Sequence, residues 1–195
     1  MDELAGAVRE ARACRLCAPH LPYGPRPILQ IDRRARILLV SQAPGRRAHQ
    51  SGIPFDDRSG DRLRAWLGLD RAAFYDPDIL GILPIGFCYP GHGTRGDLLP
   101  RPECAPTWHA RLLALMPELR LSLLIGRPAQ ARYLPEARPA TLTEVVRRYR
   151  DYLPDRFPLP HPSPRNGPWF LANPWFERDV LPALRAEVRR ADRRL

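Results

Sequence analysis

The sequence has 195 residues, 44 % of them hydrophobic, which is enough to bury the core of one domain spanning residues 1–195 without disulfide staples. The formal net charge is +10 and all 31 basic residues are arginines. This balance favours a polyanionic partner such as nucleic acid, although a genome rich in arginine codons would produce it too. Residues 1–12 are charged and the longest apolar runs are short, so we expect no signal peptide, no membrane span and a cytoplasmic location.

Hydrophobic periodicity predicts a chain in which helices alternate with short buried strands. Apolar residues at helical spacing predict a first helix at 3–13. Continuous apolar runs predict strands at 36–41, 79–87, 121–126 and 157–161. Further helices are predicted at 60–67, 107–116, 128–133, 141–149 and 175–190, and residues 42–59 are predicted to form a loop.

Strands that alternate with helices indicate an α/β fold with a parallel sheet. Binding sites in such folds lie beyond the carboxyl ends of the strands. The loop after Ser41, the segment around Cys88 and the loop after His161 all follow predicted strands. We therefore expect the functional residues in these three segments.

The four cysteines are arranged as two pairs. Cys14 and Cys17 form a C-x2-C pair, and Cys88 and Cys104 follow as C-x15-C. Four thiols in a cytoplasmic chain favour a metal site over disulfides. Zinc and a 4Fe–4S cluster both accept four cysteines, so the spacing leaves the two open, and four unrelated buried thiols are the third alternative.

Short motifs along the chain resemble those of one known family. The cysteine layout is similar to that of the iron–sulfur uracil-DNA glycosylases of families 4 and 5. Residues 41–45 (SQAPG) resemble the G-E-A-P-G motif of family 4 and the G-L-A-P-[AG] motif of family 5. Residues 52–55 (GIPF), 57–61 (DRSGD) and 161–166 (HPSPRN) resemble the G-R-P-F, G-D-R-S-G-D and H-P-S motifs of the same families.

This resemblance implies a three-layer sandwich in which helices flank a central parallel sheet of about four strands. It also implies a 4Fe–4S cluster, with zinc as the alternative, held by Cys14, Cys17, Cys88 and Cys104. The function that it implies is DNA repair by a monofunctional glycosylase, a hydrolase that excises uracil or a related deaminated base. We expect DNA as the partner and a monomeric protein.

Two positions depart from the family pattern. Family 4 places a water-activating glutamate second in its G-E-A-P-G motif, and this chain has Gln42 there. An amide can neither take a proton nor carry a negative charge. Family 4 reads uracil with an asparagine four residues before the third cysteine, and this chain has Pro84 there. These departures favour a second hypothesis, a catalytically weak or inactive relative that binds DNA without base excision.

Asp57 and His161 are the predicted catalytic residues. Breaking the bond between base and sugar develops positive charge on the sugar and negative charge on the base. The resemblance to family 5 gives Asp57 the first role and the late H-P-S motif gives His161 the second. The alternatives are a helix N-cap for Asp57, with Asp56 as the substitute carboxylate, and a loop-bracing role for His161.

Predicted substrate contacts come from the same motifs. Phe55 is expected to stack on an extruded base, although a phenylalanine there is otherwise simply core. Gln42 is expected to hydrogen-bond the base or orient a water. The remaining predicted contacts with the substrate are Ala43, Ser163, Arg165 and Asn166. A zinc-bound structural or adaptor protein is the third class of function considered.

Overall fold

The computed structural model describes residues 3–94 and 96–195, so Met1, Asp2 and Arg95 lie outside the described part of the chain. The strands in chain order are β1 (Ile37–Val40), β2 (Leu80–Ile82), β3 (His92–Gly93), β4 (Gly96–Asp97), β5 (Leu121–Ile125) and β6 (Arg156–Leu159). A parallel sheet has the order β2-β1-β5-β6. Strands β3 and β4 form a separate antiparallel hairpin. The predicted α/β fold with a parallel sheet is confirmed.

Helices connect the strands and cover both faces of the sheet. Their bounds are α1 (Glu3–Arg12), α2 (Arg46–Ser51), α3 (Arg58–Leu67), α4 (Arg71–Tyr75), α5 (Cys104–Ala114), α6 (Gly126–Tyr133), α7 (Leu142–Arg147), α8 (Gly167–Ala172) and α9 (Leu181–Ala191). None of the helices in the described part of the chain is both long enough and apolar enough to cross a membrane.

The sheet is buried on both faces because successive strand residues point to opposite sides. Ile37 and Leu39 of β1 pack with Leu63 and Trp66 of α3, in a cluster that also contains α9. Leu38 and Val40 belong to a second cluster, which contains buried residues of α1, α5 and α6. Two apolar layers separated by one sheet make the predicted three-layer sandwich.

The strand order places a crevice at the carboxyl end of the sheet. From β1 the chain moves outward to β2, then returns across β1 to β5 and continues to β6. The direction of winding therefore reverses between β1 and β5, and ligands of open α/β sheets bind at such a reversal. The segments that follow β1, β5 and β6 are Ser41–Gly45, Gly126 and the His161 loop.

Several boundaries differ from those predicted. The predicted loop 42–59 contains α2. Ala48 is the one buried residue of this helix, so its sequence has no apolar stripe that would have predicted it. The predicted strand 79–87 ends at Ile82, although the N–H groups of Leu83 and Ile85 still donate to the carbonyls of Leu39 and Ser41. The predicted helix 175–190 starts with a π-helical turn over Phe176–Val180. Pro182, at the start of α9, cannot make the regular helical hydrogen bond, and this favours the wider turn.

Candidate active site

A cleft of about 620 Å³ lies at the carboxyl ends of the strands. All of the predicted catalytic and substrate-binding residues line it, namely Gln42, Ala43, Phe55, Asp57, His161, Ser163, Arg165 and Asn166. They come from three separate segments of the chain, so the fold and not the sequence brings them together. Asp56 is absent from this lining among the described residues and instead faces Arg71, 3.4 Å away.

The loop after β1 forms the floor of the cleft. The backbone N–H groups of Ile85 and Gly86 donate to the carbonyls of Ser41 and Gln42, each at 2.8 Å. These bonds fix the backbone of the SQAPG motif against the segment that follows β2. The loop then enters α2 at Gly45, which is the N-cap residue of that helix.

Phe55 has a strained backbone that its surroundings hold in place. Its φ is +54°, in the left-handed region that a residue with a side chain rarely adopts. The Tyr75 hydroxyl donates to the Phe55 carbonyl at 3.2 Å. A Cβ built on Gly60 would stand 1.8 Å from that carbonyl oxygen, so only glycine fits at position 60. Strain held in this way is typical of functional positions.

Asp57 has one oxygen anchored and the other turned to the cleft. Its Oδ1 accepts from the backbone N–H of Gly60 at 2.9 Å, which makes Asp57 the N-cap of α3. Its Oδ2 lies 3.9 Å from the point where a Cβ on Gly45 would stand. The N-cap alternative is therefore correct for one oxygen, and the same carboxylate also lines the cleft.

His161 is held as a neutral donor. The N–H of Ser163 donates to His161 Nδ1 at 3.2 Å, which places the ring proton on Nε2. Burial lowers the pKa of His161, while the charges of Asp57 and Asp97 oppose that shift. The Asn166 amide donates to the His161 carbonyl at 2.8 Å and closes the loop. Ser163 and Asn166 therefore brace His161 in addition to lining the cleft.

The loop that carries His161 is also tied to α3 and to the β3–β4 hairpin. Arg62 donates to the carbonyls of Pro162 and Ser163 at 3.3 and 3.4 Å. The guanidinium of Arg165 lies against Gly96, 2.4 Å from the place of a Cβ there. Gly126, directly after β5, has φ +76° and faces the His161 ring, so glycine is needed at this turn as well.

Asp97 is a cleft residue that the sequence did not predict. It lies on β4, and its Oδ1 contacts His92 Nδ1 at 3.1 Å and the Tyr89 hydroxyl at 3.4 Å. The segment between Cys88 and Cys104 has no periodicity that would place it in the fold. The G-D pair at 96–97 was the one available signal, because glycine allows the φ of +128° found there.

Pro84 lines the cleft, and a buried histidine supports it from behind. His109 Nε2 donates to the Pro84 carbonyl at 3.0 Å, and the Tyr133 hydroxyl donates to His109 Nδ1 at 2.6 Å. Burial lowers the pKa of His109 to about 4. His109 is therefore neutral at physiological pH and holds one wall of the cleft.

The four cysteines line a second, much smaller cavity of about 20 Å³, together with Leu21, Phe87 and Arg101. Burial raises the pKa of Cys88 to about 11 and that of Cys104 to about 12. The N–H of Phe87 donates to the Cys104 sulfur at 3.3 Å. No three His, Cys, Asp or Glu side chains of residues 3–94 and 96–195 are close enough together to hold a single metal ion.

A comparison with protein families adds independent evidence. The family model described as the uracil DNA glycosylase superfamily matches residues 29–185. The matched segment contains the whole parallel sheet and every cleft residue predicted from the sequence. It also includes Cys88 and Cys104, whereas Cys14 and Cys17 precede it. Because the match covers most of the chain, this protein belongs to the uracil DNA glycosylase superfamily.

Proposed function

We propose that this protein is a DNA glycosylase that hydrolyses the bond between a deaminated base and its sugar and leaves an abasic site. One observation carries the proposal. Phe55 and Asp57 come from the loop before α3, His161 comes from the loop after β6, and all three meet in one cleft, in a chain that belongs to the uracil DNA glycosylase superfamily. A cleft of about 620 Å³ is within the usual size of small-molecule sites and can admit an extruded nucleotide.

The charges in the cleft suit the two charges that develop in the reaction. The Asp57 carboxylate is placed to stabilise a cationic sugar. The neutral His161 ring presents Nε2–H to a leaving base, which departs with the electron pair of the broken bond. A neutral donor stabilises the base anion by a hydrogen bond without first giving up its own proton.

Phe55 supports the extruded base. Its ring packs edge-on against Phe74, with ring centroids 6.2 Å apart, so the side chain is held from one side. The free face of an aromatic ring stacks on any base. This contact contributes affinity for an extruded base but no discrimination between bases.

DNA binding is proposed to use arginines near the mouth of the cleft. Arg46, Arg47 and Arg165 are exposed, and they flank the two loops that form the floor and one wall. Contacts of arginine with phosphate release counterions, so affinity for DNA should fall steeply between low and physiological salt. Titrations of a labelled duplex at several salt concentrations measure this slope, and a flat response would contradict nucleic acid binding.

A 4Fe–4S cluster is the cofactor that we propose for the cysteine cavity. Its support is that all four cysteines line one cavity and that Cys104 already accepts an N–H bond of the kind that tunes such clusters. Zinc, which also accepts four thiolates, stays the alternative. When bound, the cluster would supply structural cross-linking, because metal binding is coupled to folding.

The cofactor is tested by metal analysis of protein purified without oxygen. We expect about four irons per chain and a brown colour with broad visible absorption. Stoichiometric zinc without iron would contradict the proposal and would favour the zinc-bound alternative.

The function is tested with a panel of oligonucleotides that carry uracil, hypoxanthine or xanthine. The protein is incubated with each one, and alkali then cleaves any abasic site. Excision of one of these bases is the expected result. The second hypothesis, a DNA-binding relative without excision, is favoured by Gln42 and Pro84, which both line the cleft. It would be supported if every duplex is bound and none is cleaved.

A further inference from the structure

We propose that Asp97 acts together with Asp57 as a carboxylate pair that holds the attacking water in the cleft. The inference rests on the proposed function and extends it, because the sequence motifs supply only Asp57. Asp97 comes from the β3–β4 hairpin, a part of the chain that lies between Cys88 and Cys104. The pair therefore joins two loops that are about forty residues apart along the chain.

The two carboxylates have the same arrangement. Each uses Oδ1 to anchor itself to its own loop: Asp57 through the Gly60 N–H, and Asp97 through His92 and Tyr89. Each Oδ2 is turned to the same place, the space above Gly45. A Cβ built on Gly45 would stand 3.5 Å from Oδ2 of Asp97 and 3.9 Å from Oδ2 of Asp57. Among the described residues, neither Oδ2 has a hydrogen-bond partner.

The contacts of Asp97 with His92 and Tyr89 fix the position of its carboxylate. His92 and Asp97 are paired across the hairpin, so their side chains lie on the same face. Tyr89 is 1 % exposed, and its ring stacks on Tyr23 at a centroid distance of 5.4 Å. A hydroxyl on a buried, stacked ring offers a fixed donor. Asp97 is thus a positioned side chain and not a loose hairpin carboxylate.

Both carboxylates also act on the same imidazole. Burial lowers the pKa of His161, and the charges of Asp57 and Asp97 each oppose it. His161, Asp57 and Asp97 therefore line the same cleft within electrostatic range of one another.

Two acceptors that face one point suit a water molecule with two hydrogens. In the proposed step the water oxygen forms a bond to the sugar carbon as the bond from that carbon to the base breaks. The base leaves with the electron pair, and its negative charge is stabilised by the His161 Nε2–H. One carboxylate accepts a proton from the water, which later passes to solvent, while the base takes up a proton from solvent. The products are the free base and an abasic sugar hydroxyl.

The first test compares Asp97→Asn, Asp57→Asn and the double variant in single-turnover excision. Asn keeps the Oδ1 acceptor, so the anchors of both loops survive. We expect Asp97→Asn to lose about 100-fold in rate. The double variant should be little slower than Asp57→Asn alone, because residues that act as a unit are not additive. Asp61→Asn is the matched control, since the Asp61 side chain is 72 % exposed and pairs with Arg64 outside the cleft lining.

The second test needs no turnover. Each protein is titrated with a duplex that contains a pyrrolidine abasic analogue, which is cationic, and with one that contains a neutral tetrahydrofuran analogue. The unaltered protein should prefer the cationic duplex, and Asp97→Asn should weaken that preference by about tenfold. If no base is ever excised, the proposed function fails. The preference for the cationic over the neutral duplex still tests whether Asp57 and Asp97 form a pair.

A third variant, Gly45→Ala, probes the space between the carboxylates. Its methyl group would make ordinary van der Waals contacts with both Oδ2 atoms and occupy the position of the water. The backbone φ of −80° accepts alanine, so the protein should remain folded by thermal melting. Loss of rate with an unchanged melting temperature supports the pair. An Asp97→Asn protein with unaltered rate and unaltered preference for the cationic duplex overturns it.

Discussion

The two cavities of this protein differ in size and in chemistry, although one stretch of chain serves both. The cleft has a volume of about 620 Å³ and is lined by carboxylates, backbone turns and His161. The cysteine cavity has about 20 Å³ and is lined by thiols and apolar side chains such as Leu21 and Phe87. The larger cavity has the volume of a small-molecule site, whereas the smaller one gathers four thiols beside apolar side chains.

The segment between β2 and α5 passes through both cavities. Pro84 and Asp97 line the cleft, while Cys88 and Cys104 line the cysteine cavity. Through the proposed cluster, Cys88 and Cys104 would hold both ends of the loop that presents Asp97. A substitution in the cysteine cavity should therefore lower the excision rate as well as the iron content. A substitution confined to the cleft should lower the excision rate and leave the iron content unchanged.

The largest effect is expected from Asp57→Asn, a change confined to the cleft. The variant should lose roughly 10²–10³-fold in single-turnover rate, the usual size for one preorganised charge-stabilising group. Asparagine caps helices as well as aspartate, so the free energy of unfolding should stay within about 0.5 kcal/mol of the parent. Iron content should not change. Binding to DNA should survive, because removing a negative charge cannot weaken attraction to phosphate.

The next effect concerns the wall of the cleft at Pro84, which His109 supports. The pKa of His109 is about 4 in the folded protein and about 6.5 when unfolded. The unfolded state therefore binds more protons between these two values. Stability is fully present above pH 6.5 and is lost as the pH falls toward 4, by up to about 3 kcal/mol.

The measurement is denaturant unfolding across this pH range for the parent and for His109→Gln. Glutamine offers a donor and an acceptor but does not titrate, so the difference between the two slopes isolates His109. Equal slopes would mean that the buried imidazole accepts its proton without cost, and would contradict its role in supporting Pro84.

Cys17→Ala is the matching change in the cysteine cavity. A cofactor present at about a hundred times its dissociation constant stabilises a fold by about 2.7 kcal/mol, and we expect a loss of this order. Iron content should fall, and the excision rate should fall as well because the loop that carries Asp97 loses its anchor. Leu16→Ala is the matched control, since Leu16 is 57 % exposed in the same loop. Unaltered stability and iron content in Cys17→Ala would break the proposed division between the two cavities.

The sequence predicted the parts of this fold that depend on continuous apolar runs. Strands β1 and β5 are buried on both faces, so their runs of aliphatic residues indicated a parallel sheet directly. The loops after β1 and β6 carried motifs and therefore pointed to Asp57 and His161. The hairpin β3–β4 has two residues in each strand, too few for any period, and Asp97 was missed for that reason. The domain bounds of 1–195 stay a prediction.

The sequence also could not predict backbone strain or the burial of polar groups. The positive φ of Phe55 depends on Gly60, Tyr75 and the start of α3, which meet only in the folded protein. His109 carried no readable role, because its partners Pro84 and Tyr133 lie about 25 residues away on either side. These features follow from packing between elements, which periodicity within an element does not specify.

The smallest effect is expected from Gln42→Ala. The matching motif position of family 4 carries the water-activating glutamate. If Gln42 had the same role, its removal would abolish activity. The Gln42 side chain is neutral, and its removal deletes at most a hydrogen bond worth about 1 kcal/mol, or roughly a fivefold change in rate. The backbone carbonyl of Gln42 still accepts from Gly86, so the loop should keep its shape. Single-turnover assays of Gln42→Ala and Asp57→Asn on the same substrate measure the ratio. If Gln42 proves essential and Asp57 dispensable, the water is oriented by the amide alone, and the carboxylate pair above Gly45 has no catalytic part.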